Sequence, residues 1–413
     1  MPESPLLLLQ REHGMNSERS ADPIVIVDGL RTPMGGFQGD LATLSSPELG
    51  TFAIRAALAR AGVSGDDVDE IIMGCVLPAG LGQAPARQAS LGAGVTQDAG
   101  CTTVNKMCGS GMKAMMLAND AIVAGSGSVI VAGGLESMSN APYLLPKARS
   151  GLRMGHAEVK DHMFLDGLED AYTPGKLMGH FAEDTATHYQ FTRDAQDDFA
   201  IASLGRAQRA MDSGIFEKEI TPVTINHRNS STTITADEQP PKADLERIRN
   251  LRPAFTRDGT VTAANASSIS DGAAALVLMR QSEAERRGLS PRARILGHAT
   301  HAQAPEWFTT APVYAMEKLL AKLGCQISDI DLFEINEAFA VVTMAAMKEL
   351  GLPHEKVNIH GGACALGHPI GASGARIVVT LMNALDTHDL HRGVASLCIG
   401  GGEAVAVALE RIT

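Results

Sequence analysis

The chain has 413 residues, 45% apolar and 20% charged, which excludes global disorder and leaves ample chain for two or three domain-sized units. A formal net charge of −12 argues against a general nucleic-acid binder, and no apolar run approaches the ~18–20 residues of a membrane-spanning helix. Six cysteines without a C-x-x-C pair fit neither a disulfide scaffold nor a zinc ribbon, so each thiol is expected to be a core filler or a nucleophile in a reducing compartment.

Leu6 to Leu9 is too short for a signal-peptide core, and Glu3, Glu12 and Glu18 disfavour an acid-poor transit peptide. Residues 1–22 therefore read as a loose extension, and a cytoplasmic location is expected. Pro23 to Val27 is a β-branched run that predicts a buried strand. Ser46-Pro47-Glu48 predicts a helix start, with Ser46 as cap, and Gly62 its stop. Val68 to Met73 predicts a second strand. A small-residue helix is expected from Cys108 to Ala124, with Gly125 as terminator, and another strand from Ser128 to Ala132. Strands alternating with helices indicate an α/β protein. Residues 143–272 are richer in charge, and Asn226 to Lys242 reads as a loop or hairpin before the strand pattern returns at Gly272 to Arg280.

An internal repeat runs through the chain. Leu58-Ala-Arg-Ala-Gly62 with Asp67-Val-Asp69 matches Leu320-Ala-Lys-Leu-Gly324 with Asp329-Ile-Asp331. Gly109-Ser-Gly111 matches Ala372-Ser-Gly374, and Gly133-Gly-Leu-Glu136 matches Gly400-Gly-Gly-Glu403, in the same order. The expected organisation is two similar α/β halves, residues 23–142 with 273–290 and residues 291–413, and an inserted lobe over 143–272.

Cys108 precedes a predicted helix, where unpaired N–H groups and the dipole favour a thiolate; it reads as a nucleophile or as a small buried apolar residue. His368, in Gly367-His-Pro-Ile-Gly-Ala-Ser-Gly374, is a candidate proton acceptor or a structural histidine. Cys398 ends a strand before Gly400-Gly-Gly402, whose N–H groups could stabilise an oxyanion; its alternative is a core thiol. Asn336 follows the strand Asp331 to Ile335 and could hold a water or cap a helix. Cys75, Cys101, Cys325, Cys364 and His360 take structural readings.

Taken together and in this order, Asn105-Lys-Met-Cys-Gly-Ser-Gly111, Asn336-Glu-Ala-Phe339, Gly367-His-Pro-Ile-Gly-Ala-Ser-Gly374 and Cys398-Ile-Gly-Gly-Gly402 resemble the thiolases. Leu251-Arg-Pro-Ala-Phe255 and Asn265 to Gly272 also resemble thiolase segments, so the likeness spans nearly the whole chain from residue 23. It implies the thiolase fold, with a loop domain covering coenzyme A. It implies Cys108 as acyl-carrying nucleophile, His368 as its base and Cys398 as the acid/base for the substrate α-proton. Asn336, through a water, and His368 would line one oxyanion hole; the N–H groups of Cys108 and Gly400 would form the other. Ser267 would bond the pantetheine arm, Met178, Phe255 and Phe339 would line the pocket, and Lys242 would face the nucleotide end.

The motif around Cys108 resembles the short-chain type, which implies reversible condensation of two acetyl-CoA to acetoacetyl-CoA. Leu177 stands where biosynthetic members usually carry histidine, and Pro241-Lys242 where they often carry Pro-Arg. A degradative 3-ketoacyl-CoA thiolase of broader chain length is therefore weighed beside it, as is a thiolase-like protein that binds acyl-CoA without turnover. Coenzyme A enters as substrate, with no metal or tightly bound cofactor expected. Family likeness implies a homodimer or homotetramer, with Leu145 to His156 where a tetramerising loop would lie.

Overall fold

The computed structural model describes residues 22–412, so the extension read at 1–22 lies almost wholly outside the described residues. The principal strands are β1 (Ile24–Arg31), β2 (Glu70–Gly74), β3 (Gly100–Val104), β4 (Val129–Ser137), β5 (Ser270–Arg280), β6 (Ala293–Ala302), β7 (Leu332–Ile335), β8 (Arg392–Ile399) and β9 (Glu403–Arg411). They pair in the order β7-β8-β9-β6-β1-β5-β4-β2-β3. In the first half β1-β5-β4 is antiparallel and β4-β2-β3 parallel. The second half repeats the plan: β6-β9-β8 is antiparallel and β8-β7 parallel. The halves join where Val25 and Ile26 of β1 pair with Arg294 and Ala293 of β6. The architecture is α/β, two similar halves with mixed sheets, layered helices and an inserted loop domain.

The principal helices are α1 (Ser46–Ala61), α2 (Ser110–Ala124), α3 (Met178–Tyr189), α4 (Arg193–Asp212), α5 (Ala311–Leu323), α6 (Ala340–Leu350) and α7 (Ser373–Thr387). The cap of α1 falls one residue earlier than the sequence pattern indicates. Ser45 and Glu48 form the capping box, because the buried Ser46 hydroxyl accepts the Ser137 N–H at 2.8 Å. Gly62 then ends the helix at φ 69.

Helices α2 and α7 pack against each other at the centre, between strands of both halves. Their approach explains the glycine and alanine content. A Cβ on Gly374 would lie 2.4 Å from the Met112 backbone nitrogen, and one on Gly111 would lie 2.8 Å from that of Ala375. Nearly the whole of α7 is buried, polar residues included.

The halves differ in strand number, five against four, and most of all at one connection. Strands β8 and β9 are joined by the turn Gly400-Gly401-Gly402, whereas residues 138–269 intervene between β4 and β5. That insertion carries α3, α4 and the hairpin Val223–Asn226/Ser231–Ile234, which begins three residues before the segment read as loop or hairpin at 226–242 and overlaps its first part.

Candidate active site

Strand β3 delivers the chain to a tight loop ahead of α2. Asn105 Oδ1 accepts the Met107 N–H at 2.9 Å, and Ser110 Oγ accepts the Lys106 N–H at 2.9 Å while donating to the Met107 carbonyl at 2.6 Å. These bonds hold Met107 at φ 45, a left-handed conformation costly for a side chain of this kind. The strained turn presents Cys108 at the head of α2. Backbone N–H groups of Gly400 and of Cys108 itself face the sulfur and favour its charged form, as the sequence reading expects. Burial outweighs them and pushes the thiol up to about 11, so the group rests as a thiol that needs a base.

His368 lies in the loop that opens α7. Its backbone N–H donates to the Ser268 carbonyl at 3.1 Å, and Ile370 packs in one cluster with Cys108. The ring Nδ1 lies 2.5 Å from Ser373 Oγ, which also reaches the Pro369 carbonyl at 3.0 Å. A serine has one proton; with that proton on Pro369, Nδ1 carries the ring hydrogen and Nε2 keeps a lone pair. Nε2 is buried with no partner among the described residues. Burial and the Arg376 guanidinium lower the imidazole pKa to about 3, so the ring is neutral at physiological pH.

The parallel β7-β8 ladder brings Asn336 beside Cys398: the Asn336 N–H donates to the Ser396 carbonyl at 3.0 Å. Both polar atoms of the Asn336 side-chain amide are buried and unpartnered among the described residues. Its neighbour Glu337 fixes the turn by accepting from Ser203 Oγ at 2.7 Å, Asn358 Nδ2 at 2.8 Å and the Cys364 N–H at 3.1 Å. Cys398 is fully buried, in one cluster with Met178, Phe255 and Phe339. Burial raises its pKa well above the usual thiol range, and charge on the nearby Cys108 raises it further. Met178 Sδ lies 3.4 Å from where a Cβ on Gly400 would sit. Ser267 donates both N–H and Oγ–H to the Ala338 carbonyl, each at 3.0 Å, and so abuts the Asn336 loop.

A cleft of about 260 Å³ runs between the insertion and the second half, lined by Lys242, Arg247, Leu251, Ser268 and Cys364 among others. Its Ser268 end touches His368 through the bond above. Lys242 reaches this cleft, but its Nζ is held by Glu238 at 2.5 Å. Arg247 lines the same cleft, and its guanidinium has no hydrogen-bond or ion-pair partner among the described residues. Leu177 precedes α3 as its half-buried N-cap, bridged to Glu169. Among the described residues no group of three or more His, Cys, Asp or Glu side chains could hold a metal ion.

Sequence reasoning missed Met107, Ser373 and Arg247. The basic run Leu245-Glu-Arg-Ile-Arg249 marks Arg247, and Ser373 stands five residues after His368 in a glycine-rich loop. Nothing in the sequence marks the positive φ of Met107.

Residues 24–282 match the family model "Thiolase, N-terminal domain", and residues 289–411 match "Thiolase, C-terminal domain". The chain belongs to the thiolase family. It is 50% identical over 390 residues to the acetyl-CoA acetyltransferase of Escherichia coli K12, covering 94% of this chain and 99% of that protein. It is 48% identical over 394 residues to the cytosolic acetyl-CoA acetyltransferase of Mus musculus, covering 95% and 99%. The crystal structure of the Bacillus anthracis acetyl-CoA acetyltransferase superposes with a TM-score of 0.92 at 40% identity, covering 95% of this chain and 99% of that one.

Proposed function

We propose that the protein is an acyltransferase that interconverts two acetyl-CoA with acetoacetyl-CoA and CoA through an acetyl group carried on Cys108. One observation carries this reading. The Cys108 sulfur faces the Gly400 N–H, while His368 Nε2 and the Asn336 amide are buried polar groups with no partner among the described residues. Leaving such groups unpaired costs ~1–3 kcal/mol each, which a substrate oxygen or a held water would recover.

In the thiolysis direction, His368 Nε2 takes the Cys108 proton and the sulfur attacks the 3-keto carbon. The C2–C3 bond breaks and leaves the enolate of acetyl-CoA. Cys398, held as a protonated thiol by burial, gives C2 its proton. The Cys398 thiolate then takes the proton of an incoming CoA thiol. The CoA sulfur attacks acetyl-Cys108, the carbon–Sγ bond breaks, and His368 returns the first proton to Cys108. One proton enters with the CoA thiol and one leaves on C2 of acetyl-CoA, so the steps balance and condensation is the same path reversed. The Cys108 and Gly400 N–H groups meet one developing oxyanion; His368 and a water on Asn336 meet the other.

Ser267 is assigned to the pantetheine arm, and Met178, Leu177, Phe255 and Phe339 to the acyl pocket. Arg247, with Lys242 beside it, is assigned to the phosphate-bearing end of CoA. The division into halves at 23–142 with 273–290 and 291–413, with the loop domain at 143–272, is part of the same reading. A cytosolic location follows the mouse relative's description, and a homodimer or homotetramer is expected. The test is CoA-dependent cleavage of acetoacetyl-CoA beside a medium-chain 3-ketoacyl-CoA. Strong cleavage of the first alone supports the assignment. Comparable cleavage of both would replace it with a broad degradative thiolase, and cleavage of neither would leave an acyl-CoA binder.

A further inference from the structure

Two glutamates at repeat-equivalent positions reach across from one half to the other. Glu136 is the next-to-last residue of β4 and is fully buried. Its carboxylate accepts the Gly371 N–H at 2.9 Å from the His368 loop, with Val76 N–H at 2.9 Å and Leu77 N–H at 3.2 Å. Glu403 opens β9 in the other half, and its carboxylate is ion-paired with Lys106 Nζ in the Cys108 loop. Each half thus ties down the loop that opens the central helix of its counterpart.

The second tie spans the reacting centre. Lys106 stands two residues before Cys108, and Glu403 three residues after Gly400. The turn between Gly400 and Glu403 has no side chains to fix it, with Gly401 at φ 91 and Gly402 at φ 87. Its far side is anchored where Gly402 accepts the Gln303 N–H at 2.8 Å. Its near side rests on the nucleophile loop, since a Cβ on Gly109 would lie 2.4 Å from Ile399 Cδ1. The ion pair is a side-chain bond that joins the end of this turn to the strained loop at Met107.

We propose that the Lys106–Glu403 pair is a clasp that holds the Gly400 N–H against the Cys108 sulfur, making both residues positioning groups for acyl transfer. The proposal rests on the reading of Cys108 as acyl carrier. The pair is partly exposed, with side chains 21% and 34% accessible, so its loss should barely move stability. A small displacement of an oxyanion donor, in contrast, costs much in rate.

The experiment compares wild type with Lys106→Met, Glu403→Gln and the charge-exchanged double variant Lys106→Glu/Glu403→Lys. It follows acetylation of Cys108 by acetyl-CoA at saturation, the apparent KM, and thermal melting. Each single variant is expected to slow acetylation about tenfold with KM and melting unchanged, and the exchange to restore it to within about threefold. Acetylation within twofold of wild type in both singles overturns the clasp. So does a loss that the exchange leaves unrepaired, or a change confined to KM, which would make Lys106 a substrate contact. Wild-type protein that takes no acetyl group on Cys108 overturns the functional reading itself, and the clasp with it.

Discussion

The reacting centre and the cleft beside it are built from opposite kinds of structure. The centre lies where the two halves are alike: each contributes a glycine-rich loop, a buried central helix and a strand end, and divergence has put a thiol on one loop and an imidazole on the other. The cleft lies where the halves differ, against the long insertion that only the first half carries between β4 and β5. The centre is largely buried and its thiol–imidazole pair is neutral, with Cys108 protonated and His368 unprotonated. The cleft is open and charged. On the proposed reading, the chemistry is set by burial within a repeated frame, and recognition of the long substrate by an appended surface. Changes in the centre should appear in kcat, and changes in the cleft in KM.

The harshest way to break this division is Cys108→Ser. A hydroxyl is a far weaker nucleophile than a thiol and leaves the acyl carbonyl as a poorer exit group, so turnover should fall by at least ~10³ with melting unchanged. Mass spectrometry after incubation with acetyl-CoA should find no adduct at residue 108. Substantial residual turnover would show that the acyl group travels without a covalent stop.

The pH dependence of the acetylation half-reaction sharpens the claim of a neutral centre. His368 is depressed to about 3 by burial and Arg376, so its base form is complete above roughly pH 5. Cys108 is raised to about 11, so its thiol form is complete below roughly pH 9. Between those limits the rate should change by less than about threefold. Glu136, raised to about 7 by burial, titrates inside the window, and its negative charge opposes formation of a Cys108 thiolate. The residual trend should therefore be a slight fall as pH rises through 7. A limb that rises with pH near 6 would instead require an imidazole that titrates normally, and the neutral pairing would fail.

Much of the centre is legible in the sequence because its signals are local and repeated. Glycine-rich loops before small-residue helices mark Cys108 and His368, and their match across the repeat places both in one frame. What sequence cannot carry is the depth of burial. Helix N-terminus reasoning gives the correct direction for the N–H groups at Cys108, yet desolvation is a property of everything packed around the sulfur and reverses the result. The same holds for Ser46, which looks like a cap until the fold brings Ser137 to its hydroxyl. Lys242 shows the same limit: its formal charge is visible in the sequence, whereas its ion pair with Glu238, four residues earlier, emerges only from the fold.

The cleft offers the smallest and most discriminating effects. Arg247 has five donors in a planar fork and no side-chain partner among the described residues, the arrangement suited to a phosphate. Lys242 is half exposed and paired. Removing the free guanidinium should forfeit one charge-assisted contact at a wet surface, worth ~1 kcal/mol, or about fivefold in the KM for CoA with kcat unmoved. Removing Lys242 deletes a cation whose charge is already neutralised and leaves Glu238 unpaired, so Lys242→Ala should change KM by less than about twofold. Measuring Arg247→Ala and Lys242→Ala with CoA and with dephospho-CoA separates the 3′-phosphate from the pyrophosphate. If Arg247 meets the 3′-phosphate, wild type and Arg247→Ala should converge on dephospho-CoA; a fivefold gap that persists puts the guanidinium on the pyrophosphate. A larger loss from Lys242→Ala than from Arg247→Ala would mean that bound CoA displaces Glu238 and takes the lysine for itself, and the assignment of the two cations would have to be exchanged.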